Sequence, residues 1–203
     1  MPKSYSDKER EYIIKRLKEE ARLCMEQYGI RKTTVDELVK RVKIPKGTFY
    51  LFFQSKELLF FEVLRDIHDS IQKEILYEIN RVDESITCEQ LTDIFMKFYR
   101  MVDSTSILNL MINGEFEILV RKLPDSIIEE HFRHDDFEIG EIISCIPNAK
   151  NKDIESFSGA FRAVFLTMLY KREVGSNCFE DALRLMINGL VIQLMEYNLN
   201  FVC

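Results

Sequence analysis

The sequence has no tryptophan and only 4 prolines and 7 glycines among its 203 residues. Proline and glycine form the tight turns that hairpins require, so their scarcity disfavours a β-rich fold. No continuous apolar run approaches the roughly eighteen residues of a membrane-spanning helix. The first twelve residues are polar and charged, unlike a secretory signal peptide. We therefore expect a mainly helical protein that does not insert into a membrane.

Motifs for metal binding and catalysis are also missing. The five cysteines are scattered, odd in number and form no Cys-x-x-Cys pair, so neither a disulfide framework nor a zinc site is expected. No P-loop, nucleophile elbow or dinucleotide fingerprint occurs. His131 and His134, with Asp135 and Asp136, could ligate a transition metal, but such a charged stretch is more often solvated surface. The expectation is a reduced, cytoplasmic protein without a cofactor or metal, and not an enzyme.

Charge is distributed unevenly along the chain. Residues 1–56 carry 14 basic and 8 acidic side chains, a net of +6, whereas residues 57–203 carry 14 basic and 26 acidic, a net of −12. A basic segment joined to an acidic one suggests that the N-terminal part meets a polyanion. A chance imbalance is the alternative explanation.

Two helices are predicted near the N-terminus. The first covers 7–28, because apolar residues recur there at three- and four-residue steps. They are Ile13, Leu17, Ala21, Cys24 and Tyr28. Gly29 is expected to end this helix with a left-handed cap. The second, about eight residues long, should begin after Thr34, which with Glu37 is expected to form a capping box.

A third short helix is predicted over 46–52. Pro45 suits its start, because proline lacks the N–H that a first turn leaves unpaired. On a helical wheel Phe49, Phe52 and Phe53 share the core side, while Lys46, Gly47, Tyr50 and Leu51 share the other. A tight turn between two short helices, with Lys46, Thr48 and Tyr50 exposed, is typical of a DNA-binding helix-turn-helix. A plain three-helix module with a solvated surface remains the alternative.

Three stretches of this segment, 33–39, 42–50 and 53–59, read TTVDELV, VKIPKGTFY and FQSKELL. Their sequence closely resembles the signature of the TetR family of bacterial transcription regulators. The resemblance implies an all-helical homodimer of about nine helices with a ligand-binding C-terminal domain and, usually, repressor activity. Carried over by position, the DNA contacts fall on Thr34, Lys46, Gly47, Thr48, Tyr50 and Lys56. Leu51 and Phe52 depart from the aromatic–histidine pair common in the family, so one backbone contact is in doubt.

The remaining two-thirds is predicted to form a larger helical bundle. A helix of about 24 residues should follow Ser55, and two broad apolar patterns cover 153–173 and 179–201. Such helices can pack against their symmetry mates as a four-helix bundle, although they could instead fill the core of one protomer. The predicted interface comprises Phe157, Phe161, Val164, Leu183, Ile187, Leu190, Val191 and Leu194.

An apolar ligand pocket is expected in this second domain because the family resemblance implies one. Its candidate lining is Phe95, Phe98, Tyr99, Met111, Phe116, Phe161, Phe165 and Met168. Aromatic residues and methionines at helical spacing are more often ordinary core. The sequence thus predicts an all-α protein with a DNA-binding head over 1–56 and a ligand-binding, dimerising domain over 57–203.

The predicted function is a repressor that a small molecule releases from an inverted-repeat DNA operator. Two other classes are weighed against it. A helical carrier would have no reason to expose Lys46 and Tyr50 on a capped helix, and a helical-bundle enzyme would need polar catalytic groups that the sequence does not offer.

Overall fold

The computed structural model describes residues 5–147, 149 and 153–195 and, for 131–139, the backbone alone. These residues form α-helices and turns and contain no β-strand, which confirms the predicted all-α class. Eleven α-helices occur among them, against about nine expected. They are α1 (Asp7–Tyr28), α2 (Val35–Val42), α3 (Lys46–Phe49), α4 (Lys56–Ile79), α5 (Cys88–Asp103), α6 (Ile107–Ile112), α7 (Glu115–Val120), α8 (Asp125–Ser144), α9 (Ile154–Thr167), α10 (Lys171–Val174) and α11 (Phe179–Met195).

Local sequence signals set the ends of α1. Ser6 caps its N-terminus in a reciprocal box with Glu9, which pairs two backbone N–H groups that the first turn leaves free. Gly29 ends the helix as predicted and has a positive φ of 81°. Its ψ of 169° lies outside the left-handed helical region, however, so the expected cap geometry is wrong.

The starts of α2 and α4 also follow from their caps. The Thr34 hydroxyl accepts from the N–H of Glu37, but Glu37 pairs with Arg41 and does not return the bond, so only half of the predicted capping box forms. Ser55 caps α4 through the N–H of Leu58. With 24 residues, α4 is about 36 Å long, as its pattern predicted.

Contacts divide the chain into two compact units, which we describe separately. The first contains Met1–His68 and Asn109–Asp125, and the second contains Asp69–Leu108 and Ser126–Cys203. These limits differ from the division at residue 56 that was inferred from the sequence. The assignment of DNA binding to residues 1–56 and of ligand binding and dimerisation to residues 57–203 stays a prediction. No helix among the described residues is long and apolar enough to cross a membrane.

The core of the first unit forms where α1, α2, α3 and the start of α4 bring their apolar faces together. Burial of such side chains is the main favourable term in folding. Seven of them are fully buried: Leu17, Ala21, Cys24, Leu38, Phe49, Leu59 and Phe60. Lys18 joins α1 to α4 through Glu62 and Asp66, with nitrogen–oxygen distances of 2.9 and 3.0 Å.

Helices α5, α9 and α11 build the core of the second unit. The rings of Phe95 and Phe161 stack with centroids 4.5 Å apart. The buried Tyr99 hydroxyl donates to the carbonyl oxygen of Phe161 at 2.8 Å. The single helix expected over 153–173 is interrupted after Thr167, where a 3-10 turn at Met168–Tyr170 leads into α10.

We expect Tyr99→Phe to lower the free energy of unfolding by about 1 kcal/mol at neutral pH, because one buried hydrogen bond is lost. Burial raises the pKa of Tyr99 above its ordinary value of 10.0. The hydroxyl of Tyr99 therefore ionises less readily in the folded state than in the unfolded state. Above pH 10 its contribution to the free energy of unfolding falls by about 1.4 kcal/mol per pH unit. The stability gap between the wild type and the variant should narrow there in denaturant titrations. Tyr77→Phe, at an exposed hydroxyl, is the control; an equal loss in both variants would contradict the assignment.

Candidate nucleic-acid interface

The turn between α2 and α3 is three residues long and has one unusual conformation. Lys43 is the only non-glycine residue of positive φ in the described chain, with φ 60° and ψ 45°, and it ends α2. Pro45 follows as the N-cap of α3, where its fixed φ and missing N–H suit a helix start. The predicted helix-turn-helix geometry is present, although α3 keeps only four residues of the seven expected.

One side of α3 faces solvent. Tyr50 and Leu51 are 51% and 55% exposed, and a Cβ added at Gly47 would meet no neighbouring atom within 4 Å. The Lys46 ammonium, also exposed, lies 2.9 Å from a carboxylate oxygen of Asp36, and this hydrogen bond raises the pKa of Lys46. A lysine, an open glycine backbone and an exposed phenol thus share one surface, which we call the α3 face (Lys46, Gly47, Tyr50 and Leu51).

The other side of α3 is core. Phe49 is fully buried and its ring meets that of Phe53, with centroids 6.0 Å apart. Phe52 is half-buried between the ring of Tyr5 and the guanidinium of Arg10. The predicted inward direction of Phe52 agrees with these contacts.

Thr48 differs from its predicted exposure. Its side chain is buried, and its hydroxyl is hydrogen-bonded to the Tyr5 hydroxyl at 3.2 Å. Tyr5, which precedes α1, covers it. Sequence reasoning missed Tyr5, because no local pattern shows that a residue before the first helix packs on the third.

Lys56, which was expected to contact DNA, instead makes its hydrogen bonds within the chain. Its ammonium donates to the carbonyl oxygens of Ile30, Arg31 and Thr33, at 2.9, 3.4 and 2.6 Å. Burial lowers the pKa of Lys56. The three N–H groups of the ammonium are therefore used within the chain. Thr34 is exposed, but its hydroxyl oxygen already serves the N-terminus of α2.

Comparison with known proteins identifies this arrangement. Residues 18–63, which include α2, α3 and the turn between them, match the family model described as bacterial regulatory proteins, tetR family. Residues 18–63 are therefore similar to the N-terminal segment of this family. The match confirms the predicted resemblance of this segment to the helix-turn-helix of DNA-binding transcription regulators.

Relatives extend the similarity over more of the chain. The chain is 31% identical over 128 residues to the uncharacterized HTH-type transcriptional regulator YuxN of Bacillus subtilis. That match covers 57% of this chain and 44% of YuxN, so it spans less than half of the relative's length.

Solved structures share the fold. A Mesorhizobium loti protein assigned to the TetR family of transcriptional regulators superposes with a TM-score of 0.62 at 15% identity, over 92% of this chain and 96% of that one. A Clostridium perfringens protein assigned to the regulation of fatty acid metabolism superposes with a TM-score of 0.51 at 22% identity, over 89% and 96%.

The residues predicted to line the ligand pocket are divided between the two compact units. Met111 and Phe116 belong to the first compact unit and the other six belong to the second. Phe95, Tyr99, Phe161 and Met168 are buried. Phe98 lines a cleft of about 10 Å³ beside Lys97, which has room for about one water molecule. The proposed pocket stays a prediction.

Most residues predicted for the dimer interface lie in the core of their own protomer. Six are buried there, which favours the alternative that the sequence left open: Phe161, Val164, Leu183, Ile187, Val191 and Leu194. Phe157 and Leu190 are half-buried. Apolar residues occupy two faces of both α9 and α11. Periodicity alone did not show which face packs into the core of the protomer. The side chains of His131, His134, Asp135 and Asp136 lie outside the described residues.

The two sides of α3 should respond differently to truncation. We expect Phe49→Ala to lower the free energy of unfolding by about 3–5 kcal/mol, because it empties a fully buried site. Leu51→Ala, at a position more than half exposed, should cost no more than about 0.5 kcal/mol. Denaturant unfolding followed by circular dichroism measures both. Similar losses in the two variants would mean that Leu51 is packed and that the α3 face is assigned wrongly.

Proposed function

We propose that this chain is a ligand-responsive, sequence-specific transcription regulator that represses from an inverted-repeat operator and is released by a small molecule. The observation that carries the proposal is the α3 face, which stands exposed after the three-residue turn. The net charge of +6 over residues 1–56 favours a polyanionic partner for the same part of the chain.

Each residue of the α3 face has a role that DNA can use. Lys46 supplies a positive charge for a phosphate, and DNA would compete with Asp36 for it. The absence of a side chain at Gly47 lets a phosphate or base edge approach the backbone closely. Tyr50 offers a hydroxyl and Leu51 an apolar surface for a thymine methyl group in the major groove. Thr34, Thr48 and Lys56 are already engaged within the chain, so we assign direct readout to the α3 face.

An inverted repeat requires two copies of α3 related by a two-fold axis. We propose that homodimers form through the exposed stripes of α9 and α11, not through the buried residues of those helices. On α9 the stripe consists of the exposed residues Gly159, Ala163 and Leu166, and on α11 of the exposed Leu185 with the half-buried Gly189 and Ile192. Leu166 and Leu185 are 49% and 75% exposed. Glycine and alanine beside them permit close approach of a second helix, because they carry little or no side chain.

A small-molecule effector completes the proposal. The aromatic core around Phe95 and Phe161 is apolar, and opening it would admit an apolar ligand. The Clostridium perfringens protein of the same fold is assigned to fatty acid metabolism, so long-chain acyl compounds are the first ligands to test. Release of labelled operator on addition of such a compound supports this part, and retention across a broad ligand set rejects it.

Substitutions on the α3 face should distinguish the charge that Lys46 supplies to a phosphate from the close approach of DNA that Gly47 permits. Lys46→Ala should weaken binding to all duplexes alike and reduce the slope of log affinity against log salt by about one, because one phosphate contact is lost. Gly47→Ala should weaken operator binding without loss of stability, because alanine favours helix and meets no atom of the chain. Fluorescence anisotropy at several salt concentrations measures both. Lys73→Ala, an exposed lysine of α4, is the matched control. Wild-type binding by a Lys46→Ala/Tyr50→Ala double variant would reject α3 as the recognition helix.

Charges on the exposed stripes should separate the protomers. Leu166→Glu combined with Leu185→Glu is expected to give folded monomers, because two like charges would be buried at the interface. Sedimentation velocity measures mass, and circular dichroism checks the fold. Leu23→Glu, at an exposed leucine of α1, is the control and should remain dimeric. A folded dimer in the double variant would assign the interface to another surface.

A further inference from the structure

The loop between α1 and α2 is held by two oppositely charged side chains from distant parts of the sequence. Lys56, the first residue of α4, donates to the carbonyl oxygens of Ile30, Arg31 and Thr33. Glu115, the first residue of α7, accepts from the N–H of Ile30 at 2.6 Å. We call this pair the loop clamp (Lys56 and Glu115).

Both contacts of the loop clamp are charge-assisted and sheltered. Hydrogen bonds from an ammonium to a carbonyl, or from an amide to a carboxylate, are stronger than those between neutral groups. Burial lowers the pKa of Lys56, which marks its ammonium as partly removed from water. The same two residues line a cavity of about 170 Å³ in the first compact unit, together with Ile118 and Lys122.

Gly29 shows how closely the carboxylate of Glu115 approaches the loop. A Cβ added at Gly29 would lie 2.5 Å from Oε1 of Glu115, so a side chain there would force the carboxylate of Glu115 to move. Gly29 also has a φ of 81°, which disfavours any side chain. The Glu115 carboxylate therefore lies beside Gly29 where a side chain would stand.

The clamped loop leads directly into the helix-turn-helix. The buried Thr33 donates its hydroxyl to the carbonyl of Gly29 at 2.9 Å, and Thr34 then caps α2. Fixing Ile30 and Thr33 thus fixes the point where α2 begins. Helix α2 in turn packs on α3 and leads through the turn at Lys43 to the α3 face.

We propose that Lys56 and Glu115 are positioning residues for DNA recognition. They hold the α1–α2 loop and thereby set the direction of α2 and of the α3 face. The inference rests on the proposed function, since it concerns the affinity for an operator. In this proposal Lys56 does not make the phosphate contact that the sequence predicts, but affects DNA binding by holding the α1–α2 loop.

Salt dependence distinguishes the two roles of Lys56. A lysine that contacts phosphate releases counterions from DNA, so its loss flattens the slope of log affinity against log salt by about one. A positioning residue leaves the number of phosphate contacts unchanged in the bound state. We therefore expect Lys56→Met to weaken operator binding with an unchanged slope.

The experiment uses full-length protein and an operator that the wild type selects from a random duplex library. Glu115→Ala should weaken binding to this operator by about tenfold or more, because a charge-assisted bond to the loop is lost. Glu115→Gln keeps an oxygen acceptor for the N–H of Ile30 and should restore most of the affinity. Glu117→Ala is the matched control, because Glu117 is exposed on the same helix and pairs with Arg121.

Hydrogen exchange at the Ile30 amide provides a readout on the loop itself. Exchange should accelerate in Glu115→Ala and Lys56→Met, and stay near the wild-type rate in Glu115→Gln and Glu117→Ala. A thermal melt confirms that each variant is folded, and if Glu115→Ala unfolds, Lys56→Met and Glu115→Gln carry the comparison.

Three outcomes reject the inference. Wild-type operator affinity in folded Glu115→Ala rejects Glu115 as a positioning residue, and a slope flattened by about one in Lys56→Met restores the phosphate contact. In both cases the proposed function stands, because the wild type still binds its operator. Failure of the wild type to select any duplex rejects the proposed function and the inference together.

Discussion

Helix α3 has only four residues, yet one of its sides packs into the core and the other faces solvent. The burial of Phe49 determines which side is which. The ring of Phe49 packs against Phe53 in the core of the first unit, and this packing sets which side of the helix faces inward. Tyr50 then points outward, and Gly47 stands one turn earlier on the open side. A helix this short has too few internal hydrogen bonds to be stable alone, so tertiary packing maintains it.

The position of α3 depends on what lies before it. Helix α2 connects to α3 by only three residues, and the two helices pack against each other. The α1–α2 loop sets that start, and Lys56 and Glu115 hold the loop. Glu115 lies in the segment Asn109–Asp125, which belongs to the first compact unit although the chain on both sides belongs to the second.

In the second unit, α9 and α11 each have a buried apolar face and an exposed apolar stripe. In the sequence the residues of the two surfaces form one broad apolar pattern. Val191 and Leu194 fill the protomer core, while Leu166 and Leu185 remain exposed. Polar contacts fix this rotation: Asn188 of α11 donates to the hydroxyl of Thr92, and Arg184 pairs with Asp93 of α5. The proposed dimer interface uses the stripe opposite the core, because the residues on the core side are already buried within the protomer.

The sequence by itself determined the helical class, the limits of α1, α2 and α4, and the resemblance of residues 33–59 to the TetR family. Caps such as Thr34 and Ser55, the break at Pro45 and the 3.6-residue periodicity are local signals, so they can be read without knowing any distant contact. Most of the α3 face, with Lys46, Gly47 and Tyr50, follows from the same periodicity.

Only the tertiary structure decided the roles of residues whose partners lie far along the chain. Thr48 is covered by Tyr5, Lys56 is turned toward the α1–α2 loop, and Glu115 reaches Ile30 across 85 positions. Periodicity gives the direction of a side chain from its own helix axis, but not which other element occupies that direction. For the same reason it could not separate the core face of α11 from its exposed stripe, because both faces are apolar and only packing distinguishes them.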